Sequence, residues 1–155
     1  MYGGKFMPMH KGHLWCLQKA SEECETVYLI MFYGGDQEET IHKNSGEFYL
    51  SKEARDAQIK RAAAMFTNVI PVIVDVSSCR LPNGEEDWDA ETPLVEEVCG
   101  HLDAVYASEP GYAPYFAKAY PDAVYRMLDA DRSVIHISAT DIRNMKPDER
   151  TEWMV

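Results

Sequence analysis

Basic residues are scarce in this chain. Fifteen Lys and Arg stand against 26 Asp and Glu, giving a formal net charge of -11 and a pI near 4.8. That balance argues against broad binding to nucleic acid or to an anionic membrane, both of which need a positive surface. A nucleotide substrate is still allowed, because a helix N-terminus and a few local cations can hold a phosphate chain. The surplus acid otherwise serves solubility. Apolar runs are also short, none approaching the roughly 20 residues that span a bilayer. The first residues lack the basic flank and apolar stretch of a secretory signal, so a cytoplasmic location is expected. Cysteine is sparse: Cys16, Cys24, Cys79 and Cys99 form no Cys-x-x-Cys pair, and no His stands at a zinc-finger offset from them. Reduced, mostly buried thiols are expected, with neither a disulfide framework nor a metal site. A Gly-x-x-x-x-Gly-Lys-[Ser/Thr] phosphate loop is absent too, so no kinase domain is expected.

What is present is ordinary for a globular domain: 155 residues, 46% hydrophobic and 26% charged. A chain of this length hides roughly 70% of its unfolded surface, and a single domain over 1–155 is expected. Apolar runs alternate with helical patterns, which predicts an α/β fold: a Rossmann-like open parallel sheet of about five strands with helices on both faces. A very short strand covers 1–5 and a first helix 13–23. The run TVYLIMFY at 26–33 is a strand buried on both faces. Gly34-Gly35-Asp36 breaks it, with Asp36 read as a turn residue, and a polar stretch follows to Leu50. Ser51 caps a helix carrying 54–66, and VIPVIVDV at 69–76 is the next strand. A polar loop spans 77–91 before a helix near 93–99. Strands at 104–107 and 123–128 flank a short helix at 112–119. Residues 134–137 then end as a strand that runs into Ser138, the cap of a final helix. The long loops at 34–50 and 77–91 follow strand carboxyl ends, where open sheets place ligands, and are candidate substrate loops or lids.

The most informative stretch is Gly4-Lys5-Phe6-Met7-Pro8-Met9-His10-Lys11-Gly12-His13. Lying between a strand and a helix, it surrounds a helix N-terminus with open N–H groups and partial positive charge. Gly4 and Gly12 allow close approach of backbone and phosphate. Pro8 restrains the turn, and Met7 and Met9 pack beneath it. His10 and His13 can aim both rings at one group, where imidazole N–H donors would stabilise charge building on an α-phosphate under attack. Lys5 and Lys11 are candidates to add positive charge on the phosphates. A second element, Ile137-Ser138-Ala139-Thr140-Asp141-Ile142-Arg143, offers two hydroxyls at a helix start and a guanidinium one turn on. Either the hydroxyls cap the helix or they bind phosphate oxygens, and the Arg143 fork matches terminal phosphates. Trp88 lies in a polar, acidic loop, an unusual setting for a core residue. Lys52 and Arg55 either meet phosphate or form a solvated helix face. His42, His101 and His136 have no metal-ligand spacing.

The two motifs together resemble the HxGH nucleotidyltransferase superfamily, whose members transfer a nucleotidyl group from ATP or CTP and release pyrophosphate. Within it the chain looks most like the NMN adenylyltransferase domain of NadR-type bifunctional proteins. Tyr28-Leu29-Ile30-Met31 with Phe32-Tyr33, Tyr106-Ala107-Ser108-Glu109-Pro110 and Asp129-Ala130-Asp131-Arg132 carry that resemblance. The resemblance implies catalytic roles for His10, His13 and Arg143, and ATP contacts from Gly4, Lys5, Phe6, Gly12, Ser108, Ser138 and Thr140. It implies that Trp88 stacks on the nicotinamide ring of NMN, with Tyr33 and Arg132 also on the acceptor side. Mg²⁺ would arrive with ATP, and the partners would be the small molecules ATP and NMN, with assembly into a homo-oligomer left open. Glu91 stands where that group often has a second Trp, three residues after the first. Two alternatives are a cytidylyl- or adenylyltransferase with another phosphorylated acceptor, and a silent nucleotide-binding sensor. Cytidylyl members tend to carry an Arg-Thr pair near the last helix, which Asp131-Arg132-Ser133 does not reproduce. Intact His10 and His13 count against the sensor.

Overall fold

A run of seven apolar residues with no polar alternation can only be accommodated between two covering layers, and that is where β2, Val27–Tyr33, lies. The computed structural model describes residues 1–44 and 48–155. Beside β2 stand β1, Tyr2–Gly4, and β3, Val69–Asp75. Beyond β1 come β4, Ala104–Ala107, and β5, Val124–Met127. The sheet order is β3-β2-β1-β4-β5 and every pairing is parallel. The chain winds outward from β1 in both directions, so a crevice opens above the carboxyl ends of β1 and β4.

Side-chain alternation along β2 assigns its residues to the two layers. Leu29 and Met31 pack into a core with Leu17, Ala20 and Ile59, while Ile30 faces Val74, Val95 and Tyr120. The first core is covered by α1, Lys11–Glu23, and α3, Lys52–Ala63. In α3 the buried residues are Arg55, Gln58, Ile59, Ala62 and Ala63, the stripe of a helix lying on a sheet. Ser51 caps it, accepting from the Ala54 amide at 3.2 Å. The opposite face is covered by α4, Trp88–Cys99, and α5, Ala113–Ala119, the latter after a 3-10 turn at Pro110–Tyr112. Each fully buried Leu or Ile in these layers contributes roughly 1.5–3 kcal/mol. The four cysteines are free thiols. Among the described residues no helix is long and apolar enough to cross a membrane.

Several expectations need correction. Most of the loop expected at 34–50 is a helix, α2, Gly35–Asn44, and positions 45–47 lie outside the described residues. Asp36 is therefore a first-turn helix residue, and Arg80 grips its carboxylate from 2.5 Å. α1 begins two residues before the expected start, because His10 rather than a later residue caps it. The loop after β3 ends at Asp87, whose side chain caps α4 at the Ala90 amide, so Trp88 opens a helix. Residues 134–137 form no strand. The Asp129 carboxylate accepts from the Val134 and Ile135 amides at 2.9 and 3.1 Å, which removes the N–H groups a ladder would need. Nor is the helix that Ser138 caps the last: α6, Ala139–Asn144, is followed by α7, Pro147–Arg150.

Candidate functional site

The ten-residue motif joins β1 to α1 and delivers both histidines to the crevice. His10 is the helix cap: its Nδ1 accepts from the Gly12 amide at 3.1 Å, and the Nδ1 of His13 accepts from the His10 amide at 3.3 Å. The two rings thus satisfy backbone donors at the helix start reciprocally, as Ser and Glu do in an ordinary capping box. They stack with centroids 3.7 Å apart. With Nδ1 accepting, a neutral ring must carry its proton on Nε2, so each offers an N–H donor edge. Burial and the nearby Arg132 charge push His10 down to about 4. Burial, His10 and Arg132 hold His13 well below the usual imidazole range. Both rings are therefore neutral at physiological pH.

Gly12 matters for a reason beyond phosphate approach. A Cβ there would lie 3.0 Å from Cε1 of His10, against the stacked pair. Phe6 adopts a left-handed φ of 46° and turns its buried ring edge-on to His13 at 5.1 Å. Met7 and Met9 are buried beneath the turn, as expected.

The rings line a cleft of about 310 Å³, and the opposite wall comes from residues 129–143. Arg143 donates to the Met7 carbonyl at 2.7 Å and to Oγ1 of Thr140 at 2.8 Å, which ties α6 to the motif. Ser138 is committed to capping: its hydroxyl accepts from the Asp141 amide at 3.0 Å and donates to the Asp141 carboxylate at 2.5 Å. Gly4, Lys5, Phe6, Gly12, Ser108, Ser138 and Thr140 all border this cleft. So does Arg132, which the sequence placed on the acceptor side, with a left-handed φ of 53°. Ile41 of α2 reaches the same cleft.

A smaller cavity, about 80 Å³, adjoins it across Gly3, Gly4, Lys5 and Tyr112, which border both. Trp88 stands here, with Tyr112 and Tyr115 edge-on at 5.1 and 4.9 Å. The Trp88 indole donates to Glu86 at 3.1 Å, and Lys5 pairs with the same carboxylate at 2.8 Å, so Lys5 sits at the junction of the two spaces. Phe32 lines this cavity, and a Cβ on Gly3 would meet its ring at 2.7 Å. Tyr33, the residue expected to contact the acceptor, points to the other face of the sheet, where Lys52 lies 4.1 Å above its ring. Lys11, a candidate to meet the phosphates, lies over the Trp153 ring at 5.4 Å.

Arg55 is neither a phosphate ligand nor a solvated face. It is 1% exposed, ion-paired with Glu38 of α2, and donates to the Lys5 carbonyl at 2.8 Å. It braces the backbone of the motif from below. Its partner lies 17 residues earlier in a segment without an apolar stripe, so nothing local in the sequence signals the pair. Tyr112 and Tyr115 were also missed, and only their place after the fourth strand hints at them. Among the described residues no cluster of His, Cys, Asp and Glu could hold a metal ion, and His42, His101 and His136 stand apart.

With this geometry in place, comparison with known proteins gives a consistent picture. The family model described as cytidylyltransferase-like matches residues 1–145. Among solved structures, the NadR protein in complex with NAD and AMP-PNP superposes on 99% of this chain and 43% of that one, at 24% identity and a TM-score of 0.71. NadR in complex with NR matches with 25% identity, 99% and 41% coverage and a TM-score of 0.70. A bifunctional NMN adenylyltransferase/ADP ribose pyrophosphatase from Francisella tularensis matches at 19% identity over 92% of this chain and 40% of that one, TM-score 0.64. The chain spans about two fifths of the length of these proteins. It belongs to the cytidylyltransferase-like family and is a nucleotidyltransferase-family domain.

Proposed function

We propose that this member of the cytidylyltransferase-like family is an NMN adenylyltransferase, transferring AMP from ATP to NMN to give NAD and pyrophosphate. The observation that supports the reading is the adjacency of two unlike spaces. A cleft bordered by neutral histidine donors and an arginine fork shares Gly3, Gly4, Lys5 and Tyr112 with an aromatic cavity. A triphosphate suits the first and a flat heterocycle the second. Solved proteins of the same fold are described with NAD and AMP-PNP, and with NR, in complex.

In this mechanism a phosphate oxygen of NMN attacks the α-phosphorus of ATP. The new P–O bond forms as the bond from that phosphorus to the β-bridging oxygen breaks, and pyrophosphate leaves with the electron pair. The nucleophile is already anionic, so no general base is required. His10 and His13 donate Nε2–H to the charge that builds on the α-phosphate oxygens, and their low proton affinity keeps them donors without making them acids. Arg143, fixed by Met7 and Thr140, holds the terminal phosphates, and Lys5 neutralises the chain at the junction. Gly4, Phe6, Gly12 and Ser108 shape the cleft, and Ser138 and Thr140 set the α6 entry and the fork. Arg132 adds positive charge on the phosphate side. Trp88 stacks on the acceptor base. Mg²⁺ would arrive with the triphosphate, keep much of its water and neutralise phosphate charge. A related solved protein is described with AMP and a Mn ion. Residues 1–155 act as one nucleotidyltransferase domain.

The test incubates purified protein with ATP or CTP against NMN, nicotinate mononucleotide and glycerol phosphate, following pyrophosphate. ATP with NMN should yield pyrophosphate and NAD. Release from CTP with glycerol phosphate, and none from ATP with NMN, would replace this reading with cytidylyl transfer. Nucleotide binding without turnover of any pair would make the chain a sensor.

A further inference from the structure

Glu91 follows Trp88 by one turn less a fraction on α4, so both side chains border the same cavity. Its surroundings are unusual for a carboxyl. The cavity walls are rings, Trp88, Tyr112, Tyr115 and Phe116 among them. The neighbouring Glu86 is occupied by Lys5 and by the Trp88 indole. Glu91, half-buried, feels the charges of Lys5 and Arg80 but makes no hydrogen bond or close ion pair with any described residue. A polar group held against rings without a partner costs free energy unless a ligand supplies one. The ligand that fits is a planar group bringing its own N–H donor, and preferably positive charge for the ring faces.

We propose that Glu91 selects the acceptor: it accepts a hydrogen bond from a carboxamide N–H on a cationic pyridine ring and excludes a ring that carries a carboxylate. The inference rests on reading the cavity as the acceptor site of nucleotidyl transfer. A nicotinate carboxylate in the same place would meet Glu91 with like charge in a confined, ring-lined space, a juxtaposition that strongly discriminates between partners. The amide supplies the missing donor.

Titration gives a second handle. Burial, with Glu86 and Asp87 adding and Lys5 and Arg80 opposing, pushes Glu91 up to about 7. The facing Tyr112 and Tyr115 hydroxyls are raised by burial and stay protonated throughout. The acceptor phosphate titrates nearby, but it is common to both mononucleotides and cancels in their ratio. Selection of amide over acid should therefore strengthen as pH rises from about 6 to about 8.

The experiment measures kcat/KM with saturating ATP for NMN and for nicotinate mononucleotide, in the natural protein and in Glu91→Gln. The natural protein should favour NMN by at least about tenfold at pH 8 and by less at pH 6. Glu91→Gln should shift the ratio toward nicotinate mononucleotide by about tenfold or more, chiefly through KM, and lose the pH trend. An equal ratio in both proteins at both pH values overturns the role of Glu91 while adenylyl transfer stands. Pyrophosphate from neither mononucleotide with ATP overturns the broader reading, and the selection with it.

Discussion

The two halves of the crevice are built by different means. On the histidine side several polar side chains are bound to backbone. His10 and His13 hold amides at the α1 entry, Arg143 reaches the Met7 carbonyl, and Asp129 fixes the amides of 134 and 135. On the Trp88 side the rings pack edge to face, and Glu91 makes no hydrogen bond or close ion pair among the described residues. Charge stabilisation at phosphorus needs donors fixed before the substrate arrives, and backbone anchoring provides that. Recognition of a base needs only a surface, and side chains can be exchanged there without moving the main chain. Under the proposed function, the reaction type is locked into the fold, while the choice of acceptor is left to a few replaceable side chains.

Substitutions can break or sharpen this contrast. The largest effect should come from His13→Ala, which removes a donor and half of the helix cap: kcat should fall about 10²–10³-fold in a pyrophosphate assay. Activity within threefold of the parent would remove the histidines from the mechanism. Arg143→Lys keeps the charge but loses the fork, so a loss of about 10–100-fold in kcat/KM for ATP is expected, with KM for NMN little changed. Trp88→Ala should behave oppositely, raising KM for NMN about tenfold at nearly constant kcat. A kcat collapse there would erase the division between the halves. Gly12→Ala is subtler. A methyl group inside a helix normally stabilises by about 0.5–1 kcal/mol, but here it presses on His10. Activity should drop severalfold while the urea midpoint hardly moves.

Acid should weaken the phosphate side through folding itself. The His10 proton affinity is depressed in the folded state to about 4, against about 6.5 for the exposed residue. Its favourable contribution is complete above pH 6.5 and is lost as pH falls from there toward 4, because the unfolded chain takes up the proton first. Urea midpoints at pH 7 and pH 5 should differ more in the natural protein than in His10→Asn, which keeps a capping acceptor that does not titrate. Identical slopes would show that the ring is not held neutral.

Much of this was legible in the sequence because the signals are local. β2 and β3 announce themselves as unbroken apolar runs, and Ser51 and Ser138 as caps before helices. The two motifs named the histidines and Arg143, and the structure brings them to one cleft. What failed was non-local. α2 has almost no apolar stripe, and its packing depends on Glu38 meeting an arginine on another helix. The apolar 134–137 run looks like a strand until the Asp129 side chain claims its amides. Side chains alternate across a strand, so Phe32 borders the cavity that holds Trp88 while Tyr33 lies under Lys52. Arg132, expected on the acceptor side, borders the histidine cleft with a left-handed φ, a placement no local signal gives.

The histidine cap ties chemical competence to the winding of a single turn. Before that turn forms, each imidazole is free to exchange tautomers and to take up a proton near neutrality. Once the Gly12 and His10 amides settle on the ring nitrogens, the protons have only one place to go. The donor edges of the two rings therefore exist as a pair only once the first turn of α1 is wound.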